Sequence, residues 1–134
     1  MSTMATEHPN ARRMREVSEA VLRGDLAAAL EHFPEDVVWY SPAARPSDRV
    51  YRGRNGLERF FGQLLERSNG TMRPEVDDVL ASDDYVVIFL HITASRAGDE
   101  LDVTVAHFAT VGAGGFERNW FLPDDLPAWN RFFG

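Results

Sequence analysis

"YVVIFLHITASRAGDELDVTVAHF" occupies residues 85–108. It reads as two apolar strands joined through Ala97-Gly98, the kind of pair that closes a tight hairpin. Pairing Arg96 with Asp99 sets Ile88 opposite His107 and Leu90 opposite Val105. One face then carries Val86, Ile88, Leu90, Ile92, Leu101, Val103, Val105, His107 and Ala109, all apolar except for one histidine. The other carries Tyr85, Val87, Phe89, His91, Thr93, Asp102, Thr104, Ala106, Phe108 and Thr110, a mixed set with aromatic bulk. Side chains alternate along a strand, so the first face is expected against the helices. A one-residue slip in the turn exchanges His107 for His91.

Working outward, further strands are expected at 71–81 and 116–122, with turns at "SDD" (82–84) and "GAGG" (112–115). Upstream the period changes to helical. Met14, Val17, Ala20 and Val21 mark a helix over 10–23 that Gly24 stops, and Asp25 caps a short second helix. Val37–Tyr40 is a short strand leading into a loop at 42–50. Asn55 with Glu58 resembles a capping box that opens a third helix, whose stripe is Leu57, Phe60, Phe61, Leu64 and Leu65. A last helix starts near Asp124 or Asp125, with Pro127 in its first turn. Residues 1–9 read as a frayed terminus. Helices followed by an antiparallel meander give one α+β domain over residues 1–134.

Composition narrows the function. The chain has 134 residues, 44% apolar and 26% charged, with a net charge of −7. An acidic chain disfavours nucleic acid as a partner. No apolar run reaches the ~18 residues that cross a membrane, and "MSTMATEHPN" lacks the features of a signal peptide. There are no cysteines, so no disulfide framework and no thiolate chemistry. All 14 basic residues are arginine, which rules out a lysine Schiff base. The expected compartment is the cytoplasm. The histidines at 8, 32, 91 and 107 lack metal-ligand spacing, and neither a P-loop nor a dinucleotide fingerprint occurs. No metal and no cofactor is expected.

The order of elements, with "VLRGDLAAALEHFPEDVVWYSP", "YRGRNGLERFF", "DDVLASDDYVVIFLHITASRAGDELDVTVAHF" and "FERNWFLPDD", resembles the nuclear transport factor 2-like superfamily in its SnoaL-like, ketosteroid-isomerase-like branch. The resemblance implies a cone: a strongly curved, mainly antiparallel sheet wrapped around three N-terminal helices and enclosing a deep pocket. It also implies homodimers through the outer sheet face, which the bulk of Phe89 and Phe108 independently suggests. Members include isomerases, polyketide cyclases, dehydratases, epoxide hydrolases and proteins that only bind ligands. The ketosteroid-isomerase roles fall at Ser41, Val17 and Ala106 or His107, so two of the three are lost and the third is changed. A cyclase histidine matches His107, but its acidic partner is missing near Trp120, where the nearest acids are Asp124 and Asp125. The Asp-Arg-Asp set of epoxide hydrolases finds its arginine in Arg118 and no flanking inward acids.

From these residues a site is expected in which His107 and Asp125 act as the acid/base pair. His107 has the side chain whose ordinary pKa lies nearest neutrality. The equally ordinary reading is a core histidine satisfied by one partner. Tyr40 and Ser41 stand at the strand end, with Trp39 the alternative to Tyr40 as the inward aromatic and Tyr51 nearby. Arg118 and Trp120 share strand parity with Phe116 and Leu122; if that face is inward, Arg118 meets Asp124, Asp125 or a ligand anion, and otherwise it reaches solvent. One of Asp124 and Asp125 caps the last helix and the other is expected at the pocket rim. The function expected is cofactor-independent proton transfer (isomerisation, cyclisation or dehydration) on a mostly apolar, oxygenated metabolite. The alternative is a binding or accessory protein without turnover.

Overall fold

The computed structural model describes residues 7–41 and 49–133. Helices α1 (Pro9–Leu22) and α2 (Leu26–Leu30) are followed by strands β1 (Val38–Tyr40) and β2 (Val50–Arg52), then helix α3 (Gly53–Arg67). The meander consists of β3 (Arg73–Ala81), β4 (Tyr85–Arg96), β5 (Asp99–Gly112) and β6 (Gly115–Pro123), and α4 (Leu126–Phe133) ends the chain. The six strands form one sheet in the order β2-β1-β6-β5-β4-β3. β1 runs parallel to β6 and every other pair is antiparallel. The chain is therefore α+β, with a mixed, mostly antiparallel sheet. Residues 1–6 of the expected frayed terminus, and most of the 42–50 loop, lie outside the described residues.

The deciding hairpin pairs as its sequence predicts: Arg96 with Asp99, Ile88 with His107 and Leu90 with Val105. Ala97 and Gly98 both take positive φ, 46° and 90°, as a two-residue turn matching the strand twist requires. The expected inner face is buried from Val86 to Ala109, His107 included, and it joins the apolar stripes of α1, α3 and α4 in one core. Asp25 caps α2, its carboxylate accepting from the Ala28 backbone N–H at 3.1 Å. The short strand β2 is an addition that the sequence reading did not contain; it pairs with β1, Trp39 facing Tyr51. The Asn55–Glu58 capping box does not open α3. That helix begins at Gly53, with Arg52 at the cap position and no side-chain cap bond.

The last strand departs most from its expected parity. Val111 pairs with Phe116 and Thr110 with Arg118, so Glu117 is an extra residue in β6. A bulge of this kind reverses the side-chain alternation beyond it. Phe116, Asn119 and Phe121 consequently face the core, while Arg118 and Leu122 are exposed and Trp120 is half-buried.

Candidate functional site

The hollow under the helices is lined by Met14, Val17 and Ser18 of α1, Phe61 and Leu64 of α3, and the inner faces of the sheet, with Trp39 of β1, His107 of β5 and Phe121 of β6 in its wall. Its volume is about 40 Å³. That is room for water or a small polar head; an engineered cavity that takes benzene is roughly 150 Å³. Thioethers and leucine form much of the wall, and such side chains repack readily.

Three strands bring Trp39, His107 and the residue behind them, Asn119, together; Ser18 of α1 is the other polar residue of the lining. Trp39 lies opposite Asn119 across the β1–β6 ladder, and His107 pairs with Phe121 across β5–β6. Asn119 is fully buried, and its amide NH2 donates to the carbonyls of Phe116 at 3.1 Å and Val38 at 3.3 Å. Those contacts fix the amide orientation, so Oδ1 faces His107 Nε2 at 2.9 Å. An amide oxygen only accepts, and His107 Nε2 must therefore carry the proton. Nδ1 is left with a lone pair and no hydrogen-bond partner among the described residues. Burial lowers the His107 pKa to about 4, the bond to Asn119 opposing that shift only in part. The ring is thus a neutral imidazole at pH 7.

Trp39 stands beside it, the ring centroids 4.6 Å apart, inside a cluster that includes Phe60, Phe61 and Phe121. The indole Nε1–H of Trp39 is buried and makes no hydrogen bond among the described residues. A buried donor without a partner forfeits about 1–3 kcal/mol. Two residues of the lining thus carry, side by side, an acceptor and a donor without partners among the described residues.

The other expected site residues are distributed differently. Trp39, rather than Tyr40, is the inward aromatic; Tyr40 is on the opposite side of β1, stacked on Trp120 at 5.4 Å. Trp120 faces outward beside Phe108, and Arg118 is exposed, both displaced by the bulge. Asp125 is not at the hollow. It is exposed and caps α4, accepting from the Ala128 N–H at 3.0 Å. Asp124 fastens the end of β6, its N–H donating to the Thr104 carbonyl and its carboxylate accepting from the Thr104 N–H. Ser41 is buried at the end of β1, its N–H bound to the Arg49 carbonyl. The Tyr51 hydroxyl donates to Gln63 Oε1 at 3.2 Å, and its ring packs on Phe60. His107 alone of the expected acid/base pair lines the hollow, and no carboxylate or arginine does so among the described residues. Nor do the described residues hold a group of three or more His, Asp or Glu suited to a metal ion.

The sequence reading missed Asn119. Its signal was an asparagine inside a strand of large apolar residues, a position this side chain avoids unless its amide is satisfied.

The profile of the SnoaL-like domain family matches residues 14–118. The chain belongs to the SnoaL-like family. An uncharacterized protein of Mycobacterium tuberculosis is 34% identical over 106 residues, covering 78% of this chain and 81% of that protein. Among solved structures, Bal32a, from a soil-derived mobile gene cassette, superposes with a TM-score of 0.86 at 28% identity, covering 93% of this chain and 96% of its own. TerC, co-crystallized with polyporic acid, gives 0.80 at 19% identity over 94% of this chain and 98% of its own. A putative polyketide cyclase from Sinorhizobium meliloti gives 0.66 at 14% identity, covering 82% and 93%. At those identities the last two share the fold. Among the described residues of this SnoaL-like protein, no helix is long and apolar enough to cross a membrane.

Proposed function

We propose that this SnoaL-like protein binds a mostly apolar, oxygen-bearing small molecule in the hollow beneath its helices and moves a proton on it without a cofactor, His107 being the base. The observation that carries this is the free Nδ1 lone pair of a buried imidazole whose other nitrogen is held by Asn119. Toward solvent such a ring is a weak base, because its cation is costly in an apolar wall. An enolate or alkoxide forming beside it supplies the missing counter-charge and raises its basicity as the proton moves. The buried, unpartnered Trp39 N–H supports a donor role toward that oxygen. The cyclase and TerC relatives, which share the fold, favour a small organic ligand.

The test is deuterium exchange into a panel of small cyclic ketones, followed by NMR. Wild-type protein is expected to speed exchange at the carbon next to the carbonyl, and His107→Gln, with an unchanged circular dichroism spectrum, to lose it. A second reading, a binder without turnover, is favoured by the lack of any carboxylate in the described lining. It is adopted if ligands bind and no panel member exchanges.

The outer sheet face bears a row of adjoining aromatics, one per strand: Tyr40, Trp120, Phe108 and Tyr85, with centroids 5.3 to 5.8 Å apart, the outer two pairs stacked and the middle pair tilted. Leu80 and Leu122 are more than half exposed beside it. We propose that a second copy of the chain covers this face; the row of rings and the two leucines support that reading.

A further inference from the structure

The hollow has a polarity that its apolar lining conceals. Trp39 Nε1–H can only donate, and His107 Nδ1, with Nε2 committed to Asn119, can only accept. The two rings are in contact, at 4.6 Å between centroids, and both line the same hollow. A group that satisfies both must accept and donate at once. A neutral hydroxyl does this: its oxygen takes the indole N–H and its hydrogen goes to the imidazole. A carbonyl or ether satisfies the tryptophan alone. A carboxylate sets its charge against the imidazole lone pair, in a wall without a cation among the described residues.

We infer that Trp39 and His107 form a donor–acceptor pair that selects a neutral hydroxyl group, so that the ligand of this cavity is an alcohol, phenol or enol bound by its O–H and not an organic acid. The inference rests on the reading of the hollow as a ligand site. It adds Trp39 to the recognition machinery and defines the class of ligand by its head group. With about 40 Å³ available, a ring body must displace side chains such as Met14, Leu64 and Met72. Affinities for simple rings are therefore weak, and the informative quantity is the ratio between probes of equal size.

The experiment uses full-length, 15N-labelled protein at pH 7 with three probes: phenol, toluene and benzoate. Phenol is expected to move the Trp39 indole N–H resonance downfield and to shift His107 Nδ1. It is expected to bind about tenfold more tightly than toluene, the scale of one or two net hydrogen bonds, and more tightly than benzoate. Trp39→Phe, checked by thermal melt, is expected to keep toluene binding and lose the preference for phenol. Equal binding of phenol and toluene overturns the inference, as does tighter binding of benzoate. Failure of every probe to move either ring's resonances also overturns it. The outcome is separable from catalysis. Phenol selectivity without proton exchange on ketones retires the enzyme reading and keeps this one. Exchange that depends on His107, with no hydroxyl selectivity, does the reverse.

Discussion

His107 shows how one residue can be legible in position and illegible in chemistry. The hairpin fixed its face, since a histidine opposite isoleucine on an otherwise apolar face has one place to go. Its tautomer depends on Asn119, twelve residues away on the neighbouring strand, and no local pattern ties the two. The folded pKa of about 4 lies below the ordinary 6.5. Below pH 6.5 the unfolded chain takes up a proton that the folded chain refuses, so stability from this group is full above 6.5 and falls as pH drops toward 4. The loss is on the order of 3 kcal/mol. His91 works oppositely: its bond to Asp102 raises its pKa, so what it contributes is present below 6.5 and lost as pH rises through its folded value. Urea titrations of wild type and His107→Gln between pH 4 and 7 isolate the first effect; a difference that does not vary with pH contradicts it. Replacing Asn119 by Asp places a carboxylate near Nε2, and the His107 pKa, followed by NMR, is expected to rise.

Among the elements, β6 was the least readable. Its start, its end and its aromatic content are evident in the sequence, but uninterrupted alternation leaves open whether Arg118 and Trp120 face the ligand or solvent, and the bulge decides it outward. The extra residue, Glu117, leaves no mark in composition. The nearby glycine is a better marker. Gly115 has φ of 111°, and a Cβ there would overlap the His32 carbonyl oxygen, which accepts from the Phe116 N–H at 3.0 Å. Both the conformation and the close approach require glycine. Gly115→Ala is expected to cost roughly 2–3 kcal/mol, read as a lower denaturation midpoint at unchanged slope. α4 was legible from Pro127 and its aromatic stripe, but its anchoring was not. Arg67 and Arg96 donate to the carbonyls of Phe133 and Phe132, and the Arg96 guanidinium lies 4.7 Å over the Phe132 ring. Arg96→Ala is expected to release about 1–3 kcal/mol of this and to speed hydrogen exchange in α4 more than in β4 or β5. Uniform acceleration would contradict a local anchor.

For the molecule as a whole, the two sheet faces divide the labour. The inner face holds the core and the hollow. The outer face has an aromatic from each of β1, β6, β5 and β4 in a continuous row, with Tyr85, Leu80 and Leu122 each more than half exposed. The helices cannot cover it, since they pack on the other side. The proposed cover is a second copy, which presents the same row of rings in a self-complementary way. Trp120 sits in the middle of the row, between Tyr40 and Phe108, so a charge there should disrupt the contact without entering the core. Sedimentation is expected to find the wild type as a dimer and Trp120→Arg as a monomer with the same circular dichroism spectrum. His107 lies on the other face, so its tautomer and its shifted pKa should survive the separation. A wild type that sediments as a monomer would return the outer face to solvent and leave the inner hollow as it is.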